Sequence, residues 1–117
     1  MKAASIVTAT WYTPKSEEGK DAPTRFKLRG LTGIEFLEVS EHVKLKKGKW
    51  SFNVEAQKIS LKYGLVDWEK FTDENGDVAF SYDYEINLSR LPATIIRELS
   101  NEIIEARTQL AAEDEKK

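Results

Sequence analysis

The chain has 117 residues, 40% of them hydrophobic and 32% charged, with no cysteine, a single histidine and a formal net charge of -2. That composition fits one ordinary globular domain and speaks against collagen-like, coiled-coil and globally disordered classes. It also excludes disulfides, thiolate nucleophiles and Cys-based zinc or iron–sulfur centres.

No apolar run approaches the ~20 residues of a membrane span, and the Thr-rich start does not resemble a signal peptide, so a cytoplasmic, non-membrane location is expected. The small net charge hides an asymmetry. Residues 1–64 carry 12 Lys/Arg against 7 Asp/Glu (+5), and residues 65–117 carry 6 against 13 (-7), which together give -2. Either the fold separates these charges into a positive and a negative side, which favours head-to-tail contact between copies, or it interleaves them.

In chain order, Ser5 to Tyr12 is β-branched and aromatic and reads as a strand, ended by the turn chemistry of Pro14 to Pro23. Thr24 to Arg29 alternates, with Phe26 and Leu28 on one side and Arg25, Lys27 and Arg29 on the other. The two strands are expected to pair antiparallel, with Val7, Ala9 and Trp11 facing the core. Thr32 followed by Glu35 is a capping-box signature, so a helix carrying Ile34, Phe36, Leu37 and Val39 should start there and fade near His42.

Lys44 to Lys49 reads as a connector, after which Ser51 caps a helix with apolar positions Phe52, Ala56, Ile59 and Tyr63. Val66 to Phe71 is short and aromatic, and Asn75-Gly76 favours a type I′ turn in a small hairpin between Phe71 and Phe80. Tyr82 to Ser89 forms a short helix. Pro92, at a first helical position, begins the longest one, with Ile95, Ile96, Leu99, Ile103, Ala106 and Leu110 at helical spacing. The expected architecture is α+β: an N-terminal antiparallel β-hairpin packed on about four helices, the longest C-terminal. Residues 1–110 form a single domain and Ala111 to Lys117 a flexible charged tail.

Candidate chemistry is sparse. His42 has Glu38 and Glu41 nearby in sequence, which suit a solvated helix end better than a proton shuttle. Asp73 to Asp77 begins like a calcium loop, but Gly76 is fourth rather than sixth and Tyr84 stands where the twelfth-position Glu belongs. The glycines open no phosphate-cradling loop, and Glu102 with Glu105 lies on a solvated face. No metal or cofactor is expected.

Two sets of residues suit contact with other macromolecules. Lys44, Lys46, Lys47 and Lys49 beside Trp50, with Arg25, Lys27 and Arg29, resemble the basic-plus-aromatic surfaces of nucleic-acid binders, although the pI of about 5.5 argues against such a partner. Trp68 and Phe71, among acidic Asp67 and Glu69, are either interface anchors or plugs of the domain's own core. Arg25, Lys27, Arg29, Lys46, Lys47, Trp68 and Phe71 are the residues expected to carry partner or self-association contacts.

The run Phe26-Lys27-Leu28-Arg29-Gly30-Leu31-Thr32-Gly33-Ile34-Glu35, followed by Gly64-Leu65-Val66-Asp67-Trp68, an Asp/Gly turn, Phe80-Ser81 and Leu91-Pro92 with its helix, resembles the tail assembly chaperones of long-tailed bacteriophages. The likeness lies in the order and spacing of these segments over most of the chain. It implies a non-enzymatic morphogenesis factor of the host cytoplasm, absent from the mature virion, that coats the tape-measure protein and helps recruit tail-tube subunits. In such families a ribosomal frameshift often yields a longer product, for which Ala111 to Lys117 would be a suitable junction. The alternative is a small nucleic-acid-associated regulator using the Lys-rich patch.

Overall fold

The computed structural model describes residues 1, 3, 7–46 and 48–108. Its architecture is the expected α+β one, an N-terminal β-hairpin followed by helices, with the longest continuous helical segment at the C-terminal end of the described chain. Strand β1 (Thr10–Tyr12) pairs antiparallel with β2 (Arg25–Leu28), and β2 pairs antiparallel with β5 (Leu65–Glu69), giving the order β1-β2-β5.

The β2 alternation holds: Phe26 and Leu28 are buried, and Arg25 and Lys27 are half-buried on the opposite face. On β5 the two buried residues, Leu65 and Trp68, are an odd number apart and could not share a face of a regular strand. The register slips between Lys27 and Leu28, which oppose Asp67 and Leu65, so Val66 is the extra residue of a bulge. That slip restores parity, setting Leu65 beside Leu28 and Trp68 beside Phe26.

The facing expected for β1 is reversed. Trp11 lies opposite Lys27, on the side away from the core, with the Arg25 guanidinium 5.3 Å and the Lys27 ammonium 5.7 Å from its ring. Tyr12 takes the inward place opposite Phe26, and its hydroxyl donates to Glu98 Oε2 at 2.5 Å. Val7 and Ala9 precede the strand, which is shorter than expected, and the first strand's expected start at residue 5 lies outside the described residues.

Helix α1 (Gly33–Ser40) has the full capping box: Thr32 Oγ1 accepts from Glu35 N and Glu35 Oε1 accepts from Thr32 N. The expected connector is instead a β-ribbon of β3 (Val43–Lys46) and β4 (Lys49–Phe52), in which Val43 opposes Phe52 and Leu45 opposes Trp50, alternating with Lys44–Ser51 and Lys46–Lys49. Phe52 therefore belongs to a strand. The cap of α2 (Val54–Gly64) is Asn53, whose Oδ1 accepts from Ala56 N at 2.9 Å, and not Ser51.

Helix α2 runs directly into β5, and Gly64 O accepts from Arg29 N at 2.9 Å, which locks the helix end to the sheet. The small hairpin of β6 (Thr72–Asp73) and β7 (Gly76–Asp77) closes over Glu74-Asn75. Only Gly76 in it has positive φ, at 114°, and Asp73 Oδ1 accepts from Asn75 N, so the turn is built by an Asp side chain rather than as type I′.

Helix α3 (Tyr84–Ser89) starts two residues later than expected, on an Asp83 cap. Pro92 is the residue before α4 (Ala93–Asn101), which continues as a wider π turn over Glu102–Arg107. The π turn ends where Thr108 Oγ1 donates to Ile103 O and Arg107 Nη1 donates to Thr10 O, Thr10 Oγ1 and Leu28 O. Of the expected helical stripe, Leu99 and Ile103 are buried, whereas Ala106 is exposed. Leu110, the Ala111 to Lys117 tail and Lys47 lie outside the described residues.

The core gathers Phe26, Leu28, Leu31, Val39, Ala56, Leu61, Leu65, Trp68, Leu99, Ile103 and Ile104 between the sheet and the helices. No helix among the described residues is long and apolar enough to cross a membrane.

Candidate interaction surfaces

Most of the residues expected to meet partners are engaged within the molecule. Arg25 is ion-paired with Glu69 across the β2–β5 ladder and lies against Trp11. Arg29 makes a two-pronged contact with Glu35, Nη1 to Oε1 and Nη2 to Oε2, both at 2.9 Å, so it buttresses the α1 cap. These bonds, chiefly, hold the Glu35 carboxyl below its ordinary pKa and raise that of Arg29.

Trp68 is 6% exposed, and its Nε1 donates to Val78 O at 2.7 Å. Phe71 and Phe80 each pack edge-on to its indole with centroids 5.0 Å away, and Phe26 stands edge-on at 6.2 Å. The core plug, and not the interface anchor, is the role the fold gives Trp68; Phe71, half-buried, closes the same cluster. Lys27 borders Trp11 and Lys46 is a residue of the β3–β4 ribbon, so the two belong to different sheets.

The surfaces that do face outward are different. On α1, positions 34, 36, 37 and 39 are all apolar, and at about 100° per residue they divide into two opposite pairs. Phe36 and Val39 turn inward, while Ile34 is 76% and Leu37 61% exposed. The outer face of α1 therefore presents two apolar side chains to solvent. Glu38, bonded to Tyr63 Oη at 2.8 Å, and exposed Glu41 flank it.

A second, open groove lies between the C-terminal half of α2 and the chain entering α3, lined by Leu61, Lys62, Leu65, Phe80, Tyr84 and Leu88. Tyr82 and Ile86 are exposed beside it.

Charge is unevenly distributed along the sequence. From 43 to 53 the chain has four lysines and no acid; from 65 to 86 it has seven acids and one lysine. The whole described fold measures 50 × 27 × 25 Å.

Tyr12 stands out among the titratable groups. Burial first, then its hydrogen bond to Glu98, pushes its hydroxyl well above the ordinary value, so it remains a donor tying β1 to α4. The same Glu98 oxygen accepts from Lys15 N. His42 follows α1, where its amide and carbonyl bond Val39 O and Asn53 N. Among the described residues no group of three or more His, Asp or Glu side chains is placed to hold a metal ion.

The signal for the α1 face was present in the sequence: apolar residues on both sides of an eight-residue helix cannot all enter one core. Comparison of the chain with protein-family models, with curated proteins and with solved structures gave no match.

Proposed function

We propose that this chain is a non-enzymatic tail assembly chaperone of a long-tailed bacteriophage, acting in the host cytoplasm, where it binds the tape-measure protein and helps recruit tail-tube subunits. The observation that carries the proposal is the uncovered face of α1, with Ile34 and Leu37 outward beside Glu38 and Glu41. A long helical rod offers the complement: an apolar stripe at helical spacing, edged by Lys or Arg to meet the two glutamates. Each contact is small, and affinity for the rod accumulates through many copies bound along it.

The segment order of the resemblance supports the same role, because each piece occupies a joint of the fold. Leu65-Val66-Asp67-Trp68 is the bulged strand, Phe80 closes the Trp68 cluster, and Leu91-Pro92 turns the chain into the longest helical segment.

Co-expression of the tagged chain with a helical tape-measure fragment tests it. The two should co-purify, and Ile34→Asp with Leu37→Asp should release the fragment while the chain stays folded. The alternative, a nucleic-acid-associated regulator, draws on the basic β3–β4 ribbon, a shape able to track phosphates. It requires binding that falls steeply with salt.

A further inference from the structure

We propose that the Asn75-Gly76 turn between β6 and β7 is a site of spontaneous covalent modification, at which the Asn75 carboxamide is converted through a cyclic imide to aspartate and isoaspartate. The Gly76 amide nitrogen attacks Asn75 Cγ. The N–Cγ bond forms, the Cγ–Nδ2 bond breaks, and ammonia leaves with the proton that the amide gives up. Water, the only other reactant, then opens the five-membered imide at one of its two carbonyls. Opening at Cγ leaves an aspartate in an unaltered chain, and opening at the Asn75 backbone carbon leaves an isoaspartate whose main chain runs through Cβ and Cγ.

The turn meets the steric and conformational demands of that attack. Residues 74–77 are all exposed, and a Cβ built on Gly76 would find nothing within 4 Å. Gly76 has no side chain to crowd its own nitrogen, and its φ of 114° is one that glycine adopts without strain. Asp73 Oδ1 accepts from Asn75 N at 2.8 Å and Asp73 Oδ2 pairs with Arg90, which holds the turn; among the described residues the Asn75 carboxamide itself has no hydrogen-bond partner. The ladder of β6 and β7 pairs only Thr72 with Asp77 and Asp73 with Gly76, so it opens locally at little cost and frees Gly76 N.

The other three asparagines are internal controls, since none precedes a glycine. Asn53 Oδ1 caps α2 and the next residue is the β-branched Val54. Asn87 is 3% exposed, with Oδ1 accepting from Ser81 N and Nδ2 donating to Ser81 O. Asn101 lies in α4 ahead of Glu102. Modification of Asn75 makes the acidic 65–86 segment one charge more negative, and the isoaspartate lengthens the backbone of the turn. Downstream of it, Val78 N donates to Phe71 O and Val78 O accepts from Trp68 Nε1, so the altered turn pulls on the aromatic cluster.

Peptide mapping by mass spectrometry of the purified chain, held at weakly alkaline pH, tests this. Exchange of NH2 for OH should occur at Asn75 ahead of the other three, at a rate within about tenfold of that in an isolated Phe71–Phe80 peptide, because a two-pair ladder protects little. Hydroxylamine, which cleaves imides, should give fragments ending at residue 75 and beginning at residue 76, and an isoaspartyl methyltransferase should label the aged chain but not the fresh one. Asn75→Gln leaves the Gly76 backbone alone but requires a six-membered ring, and should slow the reaction about tenfold or more with an unchanged circular dichroism spectrum.

A folded chain that keeps Asn75 intact while the peptide is consumed overturns the proposal. So does modification that begins at Asn53, Asn87 or Asn101, or an Asn75→Gln chain that becomes acidic at that position as fast as the wild type. Each of these outcomes leaves the α1 contact with the tape measure untouched.

Discussion

Gly30 abuts Arg107: a Cβ built on Gly30 would stand 1.8 Å from the Arg107 carbonyl oxygen and 2.5 Å from its carbon. The contact closes the chain end onto the turn between β2 and α1, next to the bond from Leu31 N to Thr108 Oγ1. The obstacle is backbone held by the π turn, so it cannot swing aside. Gly30→Ala should cost at least about 3 kcal/mol in chemical denaturation.

Gly64 offers a graded comparison, because its Cβ would meet the Ile103 side chain, with Cδ1 at 2.6 Å, rather than backbone. Gly64→Ala should cost about 1–3 kcal/mol, and Ile103→Val in the same chain should recover part of it. A double-mutant cycle measures the coupling, and strict additivity would contradict the packing described.

Trp68 separates a core role from an interface role. Trp68→Ala should lower stability by about 3–5 kcal/mol, the loss expected for a buried aromatic. Trp68→Phe, which keeps a ring but strands Val78 O without its donor, should cost about 1–2 kcal/mol. A Trp68→Ala chain as stable as wild type would contradict the cluster geometry.

The Arg29–Glu35 contact predicts acid sensitivity with a definite sign. The folded carboxyl titrates below its unfolded value, so its stabilisation is fully present above the ordinary carboxylate range and is lost as pH falls through the depressed folded value. Glu35→Gln should therefore be destabilising at pH 7 and make little difference near pH 2. Denaturant midpoints for both chains across that range check it; a gap that stays constant with pH would contradict the ion pair's contribution.

Much of this fold was legible because local chemistry agreed with tertiary packing. Thr32 and Glu35 announced α1, the alternation of Arg25 to Leu28 announced β2, and the stripe through Leu99 and Ile103 announced the last helix. The failures have identifiable causes. Val43-Lys44-Leu45-Lys46 has a strand's period of two, but its lysines read as a solvated connector. Trp11 looked like core by hydrophobicity, yet the neighbouring Tyr12 can reach Glu98 with its hydroxyl, and the indole is covered by Arg25 and Lys27 instead.

At the candidate site, the charged residues singled out from sequence were visible as charges but not as partners of one another. Nothing local says that Arg29 meets Glu35 or that Arg25 meets Glu69 across a bulged ladder. Ile34 and Leu37 were visible as apolar, but only the packing of Phe36 and Val39 decides which pair turns outward.

The most direct measurement is a calorimetric titration of a helical tape-measure segment into the wild-type chain and into the Ile34→Asp, Leu37→Asp variant. Both positions are exposed, so thermal stability should change little. The proposal predicts saturable binding to the wild type and at least a tenfold loss in the variant, about 1.4 kcal/mol or more. Equal affinity for both chains, or no heat of binding to the wild type by segments from any part of the rod, would contradict it.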